Sequence, residues 1–138
     1  MRGNTIYLEA PDRTQDLLNI KWALLSAGYS IGSTWHNGDA ITWPAFKDHW
    51  NAFGMEQLQL CDCLVVICGT RGTVAPELAM MAGFALACGI RLYWIGPLVG
   101  GLRDFRAVEQ FDSTEIFLKQ LLSRKSRESV RNNERVAA

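Results

Sequence analysis

The chain has 138 residues, 49% of them hydrophobic and 20% charged, the balance of one globular domain able to bury its own core. Its 14 basic and 14 acidic residues cancel, so no net field draws it to nucleic acid or to an anionic membrane. No stretch reaches the roughly 18 apolar residues of a membrane span, and the charged start MRGNTIYLEAPDR leaves no apolar core for a secretory signal.

The first predicted strand is Thr5–Ala10. After the polar turn Pro11-Asp12-Arg13, Leu17, Ile20, Leu24 and Ala27 recur at helical spacing, which predicts a helix over Thr14–Ala27 ended by Gly28. A short strand at Tyr29–Gly32 follows, then a loop, Ser33–Pro44, and a helix over Phe46–Leu60 with a break at Gly54. Cys63–Cys68 (CLVVIC) is a continuous apolar run after Asp62, the mark of a strand covered on both faces in a parallel sheet. Beyond the loop Gly69–Thr73, Pro76 opens a helix to Cys88 that is apolar nearly all round and is expected to be well buried. Strands at Arg91–Ile95 and Ala107–Phe111 flank a loop with two adjacent glycines. Asp112 and Glu115 suggest a capping box for a last helix, and after about Ser123 the sequence turns strongly polar. The domain is therefore set at 1–122, with 123–138 a helical or disordered extension.

Strand and helix alternate throughout, which predicts a single-domain three-layer α/β sandwich with about five parallel strands, flavodoxin-like or Rossmann-like. Ligands of such sheets sit beyond the carboxyl ends of the strands, here the loops after Ala10, Gly32, Cys68 and Ile95. Cys61, Cys63, Cys68 and Cys88 lie in or beside apolar runs without a histidine cluster. They read as buried, reduced thiols of a cytoplasmic protein, and not as zinc ligands.

Glu77 lies in the first turn of a helix at the end of the central strand, where the positive helix end keeps a carboxylate ionised, as a nucleophile requires; it is equally placed simply to complement the helix dipole. Tyr7 is a strand aromatic whose ring reaches toward the same end or packs on a helix. Arg13 sits at a helix start, where an anion is a natural partner, or is a solvated surface arginine. His36 and Trp35 occupy the loop after the second strand, and Arg71 and Thr73 the loop before Glu77, where loop amides and a guanidinium can hold phosphate. Trp35, Trp43 and Trp50 either stack on a base or close a small core. Asp62 reads as a turn residue. Neither the P-loop nor the dinucleotide fingerprint is present, and no hydrolytic triad or metal-ligand cluster is visible.

Taken together, IYL around Tyr7, LLSAGYSI, CDCLVVICGTRGTVAPELAMMAGFALACGIRLYWI and VEQFDSTEIFLKQLL resemble the nucleoside 2-deoxyribosyltransferase-like family, including its branch of 2′-deoxynucleoside 5′-monophosphate N-hydrolases. The resemblance spans Thr5 to Leu122. It implies cleavage or transfer at the N-glycosidic bond of a 2′-deoxynucleoside or its 5′-monophosphate. Glu77 would be the nucleophile that forms a covalent glycosyl intermediate, Tyr7 would position it, and Arg13 and His36 would lie near the substrate. No metal or organic cofactor is implied, and a homodimer or higher homo-oligomer is.

Four departures stand out. The aspartate usual eight residues before Asp62 is Gly54, for which Asp48 or Glu56 are the substitute acids at hand. The base-reading acid six residues before the nucleophile is Arg71, which favours an anionic group such as phosphate. Pro76 directly precedes Glu77, and Gly89-Ile90-Arg91 replaces the usual Gly-Lys. A nucleotide-binding module without turnover and a NAD-cleaving glycohydrolase are the alternatives.

Overall fold

The computed structural model describes residues 5–10, 14–34, 36, 54–68, 76–98 and 100–137. Five strands, β1 (Thr5–Glu9), β2 (Ser30–Ile31), β3 (Cys63–Ile67), β4 (Arg91–Ile95) and β5 (Val108–Phe111), form one all-parallel sheet in the order β2-β1-β3-β4-β5. The helices are α1 (Gln15–Ser26), α2 (Met55–Gln59), α3 (Pro76–Ala87) and α4 (Thr114–Ala137), with a 3-10 turn at Gly100–Asp104. This is the α/β sandwich that the alternation predicts.

The strand order reverses direction after β2, so right-handed crossovers place α1 on the opposite face from α2 and α3. Helices α1 and α4 pack together, as do α2 and α3. Register then assigns each strand residue to a face. Tyr93 meets Phe117 of α4 at 5.7 Å between ring centroids, Tyr93 is paired with Val65, and Val65 with Leu8. Leu8 therefore faces α1 and α4, while its neighbours Tyr7 and Glu9 face α2 and α3, because successive side chains alternate.

Local chemistry explains most element ends. Thr14 caps α1, its hydroxyl accepting from the Leu17 amide at 3.2 Å. Gly28 follows at φ +92°, a conformation that favours glycine. Asp62 turns the chain into β3 and ties it to β1: its carboxylate accepts from the Thr5 amide and its own amide donates to the Thr5 carbonyl. Lys125 of α4 donates to the Ala27 carbonyl, an acceptor left over at the end of α1, and lies 4.2 Å from the centre of the Tyr29 ring. Helix α4 is continuous through the polar stretch after Ser123.

Three expectations are corrected. Helix α4 is capped by Ser113, whose hydroxyl accepts from Ile116 and whose carbonyl accepts from Phe117. The third helical residue is thus Ile116 and not Glu115, so no capping box forms, and Asp112 instead accepts from the Gln110 amide group at 3.2 Å. Helix α3 buries only one face, through Leu78, Met81, Ala82 and Ala85. Its other face, with Ala79 and Gly83, lines a shallow apolar groove together with Leu102 and Phe105; alanine and glycine score as apolar but lose little by exposure. Cys88, just past that helix, is exposed, whereas Cys61 and Cys63 are buried and Cys68 is half-buried; all four are free thiols.

Candidate functional site

The reversal of strand order falls between β1 and β3, and ligands of such sheets sit beyond the carboxyl ends of the strands at that point. From β1 come Tyr7 and Glu9. The next helix after β3 is α3, and its backbone carries Glu77 as the second residue. The Glu77 side chain lies outside the described residues, as do Arg13, Trp35, Asp48, Arg71 and Thr73.

Tyr7 is 0% exposed, and its hydroxyl has no hydrogen-bond partner among the described residues. Burial raises its pKa well above the ordinary tyrosine value, helped by the nearby charges of Glu9 and Cys61. The phenol therefore keeps its proton and offers it as a donor. Glu9, also 0% exposed, turns one carboxylate oxygen back onto the Ala10 amide at 3.1 Å. Sequence reasoning missed Glu9. The signal was the two-residue spacing from Tyr7, which puts both side chains on one face of a strand.

A second polar group sits at the end of β2. The β1–β2 ladder closes with the Gly32 amide on the Ile6 carbonyl at 2.8 Å. Ser33 then continues the pairing with its side chain, Oγ accepting from the buried Leu8 amide at 3.0 Å. The same Oγ lies 2.8 Å from Nε2 of His36, which is 0% exposed. The loop is pinned to α2 by Gln57, whose side chain donates to Thr34 Oγ1 at 2.8 Å and accepts from the Thr34 amide at 3.3 Å. His36 is thus held inside the protein, one strand away from Tyr7. Glu56 is exposed in the first turn of α2.

No protein-family model and no curated protein matches this chain. A solved structure does: the Clostridium botulinum CMP N-glycosidase BcmB, with a TM-score of 0.60 over 85% of this chain and 97% of that one, at 16% identity. The two chains share a fold. At that identity the likeness speaks for architecture, and the chemistry has to come from the residues. Those residues are a protonated phenol and a carboxylate buried on one face of β1 at the strand-order reversal, with a helix start close in the topology and a serine–histidine pair just past the end of β2. Such a set can donate to and accept from a small polar ligand with its hydroxyl groups. Among the described residues no group of three His, Cys, Asp or Glu is placed to hold a metal ion, and no helix is long and apolar enough to cross a membrane.

Proposed function

We infer that this protein cleaves or transfers at the N-glycosidic bond of a 2′-deoxynucleoside or its 5′-monophosphate. The observation that carries the reading is the buried, protonated Tyr7 hydroxyl, without a partner among the described residues, on the sheet face that α3 covers. The fold shared with an enzyme named as a CMP N-glycosidase supports it.

In this reading the Glu77 carboxylate attacks C1′, the C1′–N bond breaks, and its electron pair leaves with the base. Water or a second base then releases the sugar from Glu77, so configuration is retained over two displacements. Tyr7 donates to Glu77 and holds it in line. Arg13 and Arg71, with Thr73, hold the phosphate, and Trp35 and His36 flank the ligand. The homo-oligomer that the family resemblance implies belongs to the same reading.

The test is release of free base, followed by chromatography, from deoxynucleosides, their monophosphates, CMP and NAD. Release from the deoxy substrates that disappears in Glu77→Gln supports the reading. Release from NAD alone would make the protein a NAD glycohydrolase. Ligand-dependent thermal stabilisation without release would make it a binding module, the alternative that Gly54 in place of the family's aspartate favours.

A further inference from the structure

We propose that a cavity at the amino ends of the strands binds a free basic α-amino acid, with its carboxylate on Arg91, its α-ammonium on Asp62 and its side-chain cation on Glu128. This is the end of the sheet opposite the one where the glycosidic reading places its substrate, so the proposal stands or falls apart from that reading.

The cavity has a volume of about 540 Å³, the size of a small-molecule site. Its floor is uncharged: Ile6, Cys63 and Tyr93 are buried, and register puts all three on the face that α1 and α4 cover. Tyr29, which leads into β2, and Leu121 of α4 also line it. Burial, with the charges of Tyr93 and Glu128, raises the Tyr29 pKa, so that phenol stays neutral. The charges belong to the three exposed lining residues, Asp62 at the turn into β3, Arg91 at the start of β4 and Glu128 on α4. None of the three has an ion-pair partner among the described residues, whereas nearby Glu109 and Arg124 pair with each other. Asp62 spends one oxygen on the Thr5 amide and keeps the other. Arg91 is steadied at the cavity, because its Nη1 donates to the Tyr93 hydroxyl at 3.2 Å and leaves the other donors of the fork unused.

The chemistry narrows what such a cavity takes. Two carboxylates against one guanidinium disfavour a phosphate and call for two cationic groups and one anion. The guanidinium fork matches a carboxylate in two parallel hydrogen bonds. Asp62 directly precedes Cys63, the register partner of Arg91, so these two opposite charges start from adjacent strands, as the α-amine and α-carboxylate of an amino acid start from one carbon. Glu128 comes from α4, across the cavity floor, and meets the far end of the side chain. Between the two ends an aliphatic stem lies against Ile6, Leu121 and the Tyr29 ring. A diamine without a carboxylate leaves Arg91 unanswered, and an amino acid with an uncharged side chain leaves Glu128 unanswered.

The experiment is titration calorimetry at low ionic strength with L-lysine, L-ornithine and L-arginine, and with two probes that each lack one group: cadaverine, without the carboxylate, and L-norleucine, without the side-chain amine. At least one of the basic amino acids should bind about fivefold or more tighter than either probe, the upper worth of an exposed ion pair. Arg91→Gln should erase the advantage over cadaverine, and Glu128→Gln the advantage over norleucine, with thermal melting to confirm folding. No binding of any basic amino acid up to about 20 mM, binding no tighter than that of the probes, or an advantage that survives its substitution would overturn the proposal. If Arg91→Gln does not fold, Arg91→Lys, which keeps the charge without the fork, decides by the same ratio. No nucleotide enters the comparison, so the result is the same test whether or not the protein releases base.

Discussion

Ser33 Oγ and His36 Nε2 lie 2.8 Å apart inside the protein, and that hydroxyl also accepts the Leu8 amide of the neighbouring strand. The hydroxyl has one proton and two lone pairs, so with one lone pair committed to Leu8 it still meets Nε2 in either tautomer of His36. Ser33→Ala removes one acceptor from the buried Leu8 amide and one partner from His36. It should cost about 1–3 kcal/mol, read as a lower urea midpoint at unchanged slope. A loss below about 0.5 kcal/mol would mean that the hydroxyl does not complete the β1–β2 ladder. The Nε2 resonance of His36 in nitrogen NMR should shift in the variant, because that nitrogen loses the Ser33 hydroxyl.

Tyr7 offers the opposite contrast. Its hydroxyl has no partner among the described residues, so Tyr7→Phe removes a buried polar atom without breaking a hydrogen bond to any of them. Stability should stay level or rise by up to about 1 kcal/mol. If the protein cleaves glycosidic bonds as proposed, with Tyr7 donating to Glu77, base release should fall at least about tenfold in this variant. A variant that melts several degrees lower while keeping its activity would make the phenol a structural group.

The thiols and Tyr7 give the fold an alkaline limit. Burial, with the charges of Cys61 and Asp62 and against the pull of Arg91, pushes the Cys63 thiol up from 9.0 to about 12. Burial and Asp62 push Cys61 to about 11. These groups hold their protons in the folded chain after the unfolded chain has released them. Their contribution is therefore complete below about pH 9 and is lost as pH rises through about 11 to 12, with Tyr7 acting in the same sense at higher pH. Urea midpoints measured from pH 7 to 11 should fall from about pH 9 upward, and less steeply in Cys63→Ala. Thiol labelling of the folded protein at neutral pH should reach exposed Cys88 well before buried Cys61 and Cys63.

Strands β3 and β4 could be read directly, because a run covered on both faces is apolar without alternation, and their bounds follow the sequence to within a residue. Strand β2 is shorter than its apolar pattern, since the Ser33 side chain takes over the pairing that backbone would have continued. The 3-10 turn at Gly100–Asp104 left no trace in a segment with two glycines and no periodicity. At the site, Tyr7 was visible because an aromatic in a strand invites a question. Glu9 was not, because an acid just before Ala10-Pro11 reads as the start of a polar turn; only the sheet shows that its side chain is inside. For His36, a loop position suggested the surface, and nothing in the local sequence says that Ser33, three residues earlier, draws the ring in.

The polar stretch after Ser123 has a structural use that can be measured. Lys125 donates to the Ala27 carbonyl at the end of α1 and lies over the Tyr29 ring, so it joins α4 to the segment that leads into β2. Its neighbour Arg124 pairs with Glu109 at 2.9 Å, with both side chains about two-fifths exposed. An exposed pair of that kind is worth about 0.2–1 kcal/mol and weakens with salt, whereas a cation that serves a leftover helix carbonyl and an aromatic face together should be worth about 1–2 kcal/mol. Lys125→Met should therefore destabilise more than Arg124→Ala, and the gap should persist at high salt. A chain ended at Leu122 loses both contacts and should unfold at a lower urea midpoint than either variant. If that shortened chain is as stable as the full one, the extension lies on the domain without holding it, and the contact between Lys125 and α1 contributes nothing to folding.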